Sequence, residues 1–197
     1  MTATRQQAVA NALKATTNVP RYCAQWTRTM FGVAALGDFD GDGAADAEDM
    51  WKAAKHKHPG DYTAPAGVPV YWSGGSQDNW HIAVSLGNGM CRSTDGGGSG
   101  KVATVPLDFP VRQWGMPYLG WSEDLYGNVI PDPEGIKAEI AALQERIAAK
   151  QARRTTLHSE VAKLQARVDR KVALSDTLKA EIVALRAQVQ AKRDTLP

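Results

Sequence analysis

The sequence predicts an α+β domain, helices first and a small antiparallel sheet second, followed by one long coiled-coil helix. Three observations carry that expectation. Apolar residues fall at helical spacing before residue 60, short β-rich runs broken by glycine turns lie between 68 and 121, and an unbroken heptad pattern occupies 136–189. The charge balance changes at the same place. Residues 1–132 carry ten Lys/Arg against thirteen Asp/Glu, net −3, whereas 133–197 carry thirteen against eight, net +5. We therefore read two domains, 1–131 and 132–197.

In the first domain, residues 4–16, with Arg5, Gln6, Gln7, Ala8, Val9, Ala10 and Leu13, are expected as a short amphipathic helix. Asn18 and Pro20 form a helix-start signal, so a second helix is expected through about Phe31. An acidic, Gly-rich stretch at 37–49 runs into a third helix over roughly 47–57, which His58-Pro59-Gly60 ends. Strand-like runs follow at 68–72, 80–86, 90–94, 102–107 and 118–121. Gly87-Asn88-Gly89, between the second and third of these, predicts a tight hairpin.

Asp132-Pro133-Glu134 opens the second domain with a capping carboxylate, Pro at the first helical position and an acid in the first turn. Beyond Gly135 no Gly or Pro occurs until Pro197. The a positions are Ile140, Ile147, Arg154, Val161, Val168, Ser175, Ile182 and Val189. The d positions are Ile136, Leu143, Lys150, Leu157, Leu164, Lys171, Leu178 and Leu185. Polar layers at Lys150/Arg154 and Lys171/Ser175 interrupt the stripe without shifting its register. A continuous helix of this length spans on the order of 85 Å. It cannot bury its own stripe, so it needs a partner, and β-branched a with Leu d points to a parallel dimer. A hairpin folded back at a polar layer is the alternative, although no turn residue sits at either layer.

Composition excludes several classes. A net charge of +2 is too small to indicate nucleic acid, and no run is long and apolar enough for a membrane span. The N-terminus lacks the apolar core of a signal peptide, so reaching a cell wall would require another route. Two cysteines, Cys23 and Cys91, are too few for a disulfide framework and are expected as thiols.

Cys23 falls within the first turn or two of the second expected helix, where free amides and the dipole favour a thiolate. His81 lies early in the strand 80–86. A hairpin closing on Asn88 pairs positions summing to 176 and sets Asp95 opposite His81. A two-residue turn raises the sum to 177, setting Gly96 opposite and Thr94 on the same face. Either register brings a polar group of Ser93-Thr94-Asp95 to the imidazole, and Asp95 is preferred because a carboxylate also stabilises imidazolium. Cys23, His81 and Asp95 are thus candidate nucleophile, base and orienting group. Cys91 on the next strand is expected in the core. His56 and His58, in a Lys-rich helix end, and His158 on the long helix are expected in solvent. Trp72 and Trp80 are candidates for a substrate groove, against the ordinary role of aromatic rings in packing.

The acidic stretch has metal-loop spacing. Asp38, Asp40, Asp42, Asp46 and Asp49 occupy positions 1, 3, 5, 9 and 12 of an EF-hand loop, with Gly43 at 6 and the Ala44 carbonyl at 7. Asp rather than Glu at position 12 shortens that arm. Calcium is the expected ion, in a bracing role, because no His/Cys cluster accompanies it.

Tyr22-Cys23-Ala24-Gln25-Trp26 through Phe31-Gly32, Val70 through Gly75, His81 through Gly89, Ser93-Thr94-Asp95 and Tyr118 through Trp121 resemble the NlpC/P60 and CHAP papain-like cysteine peptidases. The nearest likeness is to lysins of phages infecting actinobacteria. It covers about residues 1–125 and leaves the long helix unexplained. It implies a papain-like fold and an amidase or endopeptidase acting on peptidoglycan stem peptides, with Cys23 as nucleophile, His81 as base and Asp95 in the third role. Many relatives have Gly immediately before the His. Trp80 stands there in this chain and alters the expected groove. Such a protein would act at the bacterial wall from a phage virion or an infected cell, its helix self-associating or docking to a virion protein. A non-catalytic virion protein and a secreted bacterial hydrolase are the other readings.

Overall fold

Thr4 opens the first helix, α1 (Arg5–Lys14). Its hydroxyl accepts from Gln7 N while the Gln7 side chain accepts from Thr4 N, a reciprocal capping box. The computed structural model describes residues 2–35, 37–39, 41–74 and 79–194, and divides into two units, 1–136 and 137–197. The first unit is α+β: helices lead, an antiparallel sheet follows.

The second helix, α2 (Cys23–Phe31), begins later than Pro20 suggests. Asn18, the expected cap, instead bonds to Asp95, and Arg21 takes φ 71° just before the helix. Cys23 therefore becomes the first helical residue. The third helix, α3 (Ala47–Ala53), is capped reciprocally by Asp46 and Asp49 and is shorter than the expected 47–57. The buried Asp124 carboxylate accepts from Lys55 N at 3.0 Å, His56 N at 2.8 Å and Gly127 N at 2.7 Å. Those bonds draw the chain out of the helix into a strand, β1 (Lys57–Pro59).

The remaining strands are β2 (Pro69–Trp72), β3 (His81–Gly87), β4 (Met90–Ser93), β5 (Ala103–Pro106) and β6 (Tyr118–Ser122), in sheet order β1-β6-β2-β3-β4-β5. A small pair, β7 (Asp124–Leu125) and β8 (Asn128–Val129), follows. Between β5 and β6 lies a helix that sequence reading missed, α4 (Phe109–Trp114). Its signals were present: Pro110 in the first turn and Gly115 as a left-handed C-cap. Gly120 on β6 takes φ 125°, and a Cβ there would meet the His58 carbonyl, so β1 approaches closely only against glycine.

The sheet alternates its side chains between two apolar layers. Tyr71, Ile82 and Val84 pack against α1, α2 and α3 through Ala8, Ala12, Trp26, Met30, Phe31 and Met50. Val70, Trp72, Ala83, Cys91 and Val105 form the other layer with Leu107 and Phe109.

The last helix, α5 (Pro133–Arg193), runs without a fold-back. Asp132 caps it by accepting from Gly135 N, and the same carboxylate pairs with Arg5 at 2.9 Å. In the second unit every described side chain is exposed, Ile140, Leu164 and Ile182 by about half. Among the described residues no helix is long and apolar enough to cross a membrane. Replacing Asp124 by Ala strands three backbone donors, and urea denaturation should show a loss of about 3 kcal/mol. An unchanged midpoint would mean that the exit from α3 is held otherwise.

Candidate active site

Cys23, at the first position of α2, is 9% exposed. Its Sγ donates to the Trp80 carbonyl at 3.7 Å and also interacts with the Ile82 backbone, so the thiol rests against the chain on both sides of His81. α2 is pinned there by Thr27, whose hydroxyl donates to the Ile82 carbonyl at 3.4 Å, and by the apolar layer above. Burial pushes the thiol up to about 11, against hydrogen bonds from the Ile82 and Ala24 backbone that lower it; the charges of Asp46 and Asp95 raise it further. The helix terminus alone favours a thiolate, but desolvation dominates and the resting group is a neutral thiol.

His81, the first residue of β3, is 5% exposed. Its Nε2 lies 2.9 Å from Ser93 Oγ, and that hydroxyl donates to the Thr94 carbonyl at 3.0 Å. A hydroxyl has one proton, so with it on Thr94 the Ser93 oxygen accepts from Nε2–H. This assignment makes Nδ1 the basic nitrogen. Burial lowers the imidazole to about 4, with the Asp95 charge opposing. Trp72 lies 5.5 Å from the imidazole ring, and Trp114 at the end of α4 meets it edge-on at 5.1 Å.

Asp95 does not bond to His81. β4 ends at Ser93, and Asp95 takes φ 56° and turns away. Its carboxylate accepts from Asn18 Nδ2 at 3.2 Å and Gly100 N at 2.7 Å, while its own N–H donates to Asn18 Oδ1. It ties the segment leading into Cys23 to the loop after β4, and reaches the imidazole through charge alone. Both expected hairpin registers occur: Val84 pairs with Arg92 and Ser85 with Cys91, then a bulge shifts the ladder so that Gly87 pairs with Met90. Ser93 belongs to the polar segment 93–95 expected beside the imidazole. As the diagonal neighbour of His81 across the hairpin, it is the residue that arrives.

Trp72 is a correction. It is fully buried and its Nε1 donates to the Leu107 carbonyl, so it is a core ring with no surface to offer a groove. Trp80 is partly exposed and packs on the α-helical side. Trp114, partly exposed beside His81, is the aromatic ring that sequence reading overlooked. Cys91 is fully buried and its thiol is pushed up to about 12 by burial. His58 stacks on Trp121 at 3.6 Å and pairs with Glu123 at 3.0 Å.

In the acidic loop Asp38 accepts from Gly41 N and Gly43 N, Asp42 from Ala44 N, and Asp46 from Glu48 N and Asp49 N. The fully buried Asp49 accepts from Phe39 N and Asp46 N. Asp40 lies outside the described residues. The carboxylates are turned toward loop amides, and among the described residues no three His, Cys, Asp or Glu side chains converge as a metal site. Burial raises the Asp46 carboxyl, opposed by the Asp49 and Glu48 amides, and the charges of Asp49 and Asp42 add to the rise.

No family model matches this chain, and no curated protein matches it. Among solved structures it is similar to the P60 domain of an antigen from M. avium subspecies paratuberculosis, at 21% identity and TM-score 0.38, covering 65% of this chain and 98% of that one. A likeness so distant assigns no role to any residue.

Because His81 is held neutral at about 4 against an ordinary 6.5, its contribution to stability is complete above about pH 6.5. It is lost as pH falls through 4, since the unfolded chain binds the proton first. Denaturant titrations should show wild type losing stability across that window more steeply than His81→Gln. Equal slopes would mean that the imidazole is not buried neutral.

Proposed function

We propose that residues 1–136 form a papain-like cysteine hydrolase that cuts amide bonds in bacterial cell-wall stem peptides, as an amidase or endopeptidase. The observation that carries this reading is the Cys23 thiol lodged at the N-terminus of α2, against the strand residues that flank His81. The buried pair is neutral at rest, so the proton moves as the bond forms rather than beforehand. Nδ1 of His81 takes the thiol proton while Sγ attacks the substrate carbonyl carbon. The imidazolium then protonates the leaving amine, the C–N bond breaks, and an acyl thioester remains on Cys23. Water gives a proton to the same nitrogen as its oxygen attacks the thioester; collapse of that intermediate returns the proton to sulfur and frees the acid. Ser93 orients the ring through Nε2, and the negative Asp95 stabilises the imidazolium. The amides opening α2 have no helical partners of their own and suit a developing oxyanion nearby.

The setting we infer is a phage lysin or virion-associated lysin acting at the wall from a virion or infected cell, with α5 as its assembly element. Mass spectrometry of fragments released from actinobacterial peptidoglycan tests the chemistry. New stem-peptide termini should appear with the native protein and vanish with Cys23→Ala, while Ser93→Ala should cut the rate about 10- to 100-fold by loosening the ring. No release by folded native protein would reject the hydrolase. One observation favours a second reading, a non-catalytic virion protein on the same fold: both Cys23 and His81 are nearly closed to solvent, and the thiol bonds to a carbonyl rather than the imidazole.

Calcium is proposed for loop 38–49 on its ligand spacing, with Asp38, Asp40, Asp42, Asp46, Asp49 and the Ala44 carbonyl as ligands. Since the loop joins α2 to α3, the ion would brace the nucleophile helix. Calcium should raise the melting temperature of the first unit and chelator should reverse it. An indifferent transition would remove the ion.

A further inference from the structure

We propose that α5 pairs with α5 of a second copy of this chain in antiparallel orientation, with Val161 opposite Leu164 at the centre. This goes beyond the wall-hydrolase reading and stands independently of it. Helix α5 exposes one apolar stripe along its described length, including Ile140, Ile147, Leu157, Val168, Leu178 and Leu185, each by about half. Isolated, such a helix leaves that stripe in water.

Charge on the seam decides the orientation. A parallel, in-register pair sets Lys150 against Lys150, Arg154 against Arg154 and Lys171 against Lys171 of the second copy. Its flanking g-to-e contacts supply one kind of opposite-charge match, Glu181 with Arg186, made twice by symmetry, while Arg153 meets His158 and Arg167 meets Val172. The apolar blocks 136–147, 157–168 and 178–189 recur three heptads apart, so they also align when one helix is reversed. Centred between Val161 and Leu164, the reversed pair sets Ile140 on Leu185, Leu143 on Ile182, Ile147 on Leu178 and Leu157 on Val168. Lys150 then faces Ser175 instead of itself. Arg154 facing Lys171 makes two like-charge layers, against three in the parallel pair.

On the flanks of the reversed pair, g positions meet g positions. Glu160 meets Arg167 and Arg146 meets Glu181, each twice by symmetry. Against these stands the like-charge contact at the ends, Lys137 with Arg186, which also occurs twice by symmetry. The reversed pair therefore has more opposite-charge contacts and fewer cationic layers than the parallel one.

The test uses the full chain carrying Cys23→Ala and Glu145→Cys with a nitroxide label, Cys91 being fully buried. In the reversed pair residue 145 lies opposite 180 of the second copy, so pulsed electron resonance should read on the order of 50 Å. A parallel pair holds the labels within about 25 Å, and that reading overturns the proposal. Sedimentation as a monomer at tens of micromolar overturns it too, leaving the stripe to a different protein. As a second measurement, Glu160→Arg should lower the melting temperature of the helix, and adding Arg167→Glu should restore it. These residues are too far apart within one helix to interact, so failure of the double reversal to rescue also counts against the reversed pair.

Discussion

Everything proposed for the first unit depends on one contact, the packing of α2 on β3. Trp26, Met30 and Phe31 bury against the layer containing Ile82 and Val84, and Thr27 bonds to the Ile82 carbonyl. Each buried side chain of that size is worth roughly 1.5–3 kcal/mol, so the contact is one of the stronger restraints in a unit this small. It fixes the height of α2 along the strand. That height sets Cys23, the first residue of α2, against the backbone of Trp80 and Ile82, the residues on either side of His81.

The same contact sets the electrostatics. A helix N-terminus stabilises a nearby anion by up to about 2 kcal/mol in favourable, partly buried sites, little more than one unit of pKa. Burial works the other way and prevails, taking the thiol from 9.0 to about 11 and the imidazole from 6.5 to about 4. Neither group is charged at rest. Asp95 cannot reverse this, because its carboxylate is committed to Asn18 and Gly100. Its role is first architectural, holding the approach to Cys23 against the loop after β4, and only secondarily a source of field at His81.

The second unit obeys different physics. No described side chain of α5 within it is buried, so nothing in the chain's own fold selects an orientation or a partner. Under the proposed pairing, specificity would rest on the placement of Lys150, Arg154, Lys171 and Ser175 in an otherwise apolar seam, and on the g-position charges. These terms are individually small and gain meaning only by repetition along the helix.

The strands, the hairpin around Asn88 and the uninterrupted last helix were legible in the sequence, because apolar periodicity, glycine turns and an Asp-Pro-Glu start are local signals. A polar group of 93–95 reaching His81 was legible in outline, since a hairpin register can be counted. Ser93 in place of Asp95 was not, because the choice depends on where β4 stops and on Asn18, 77 residues away, drawing Asp95 aside. The shortening of α3 belongs to the same class: Asp124 captures amides 68 and 69 residues upstream. Whether Trp72 packs or lines a groove stays open in the sequence, since an aromatic residue on a strand looks alike whether its face meets solvent or α4; the structure buries it. By itself the sequence determined most of the strands, the hairpin, the long last helix and which residues carry reactive groups, because those depend on neighbours along the chain, but not α4 or where α3 gives way to β1. Tertiary structure alone decided which polar group reaches the imidazole and that the thiol and imidazole rest uncharged, because partner choice and desolvation are set by residues distant in sequence.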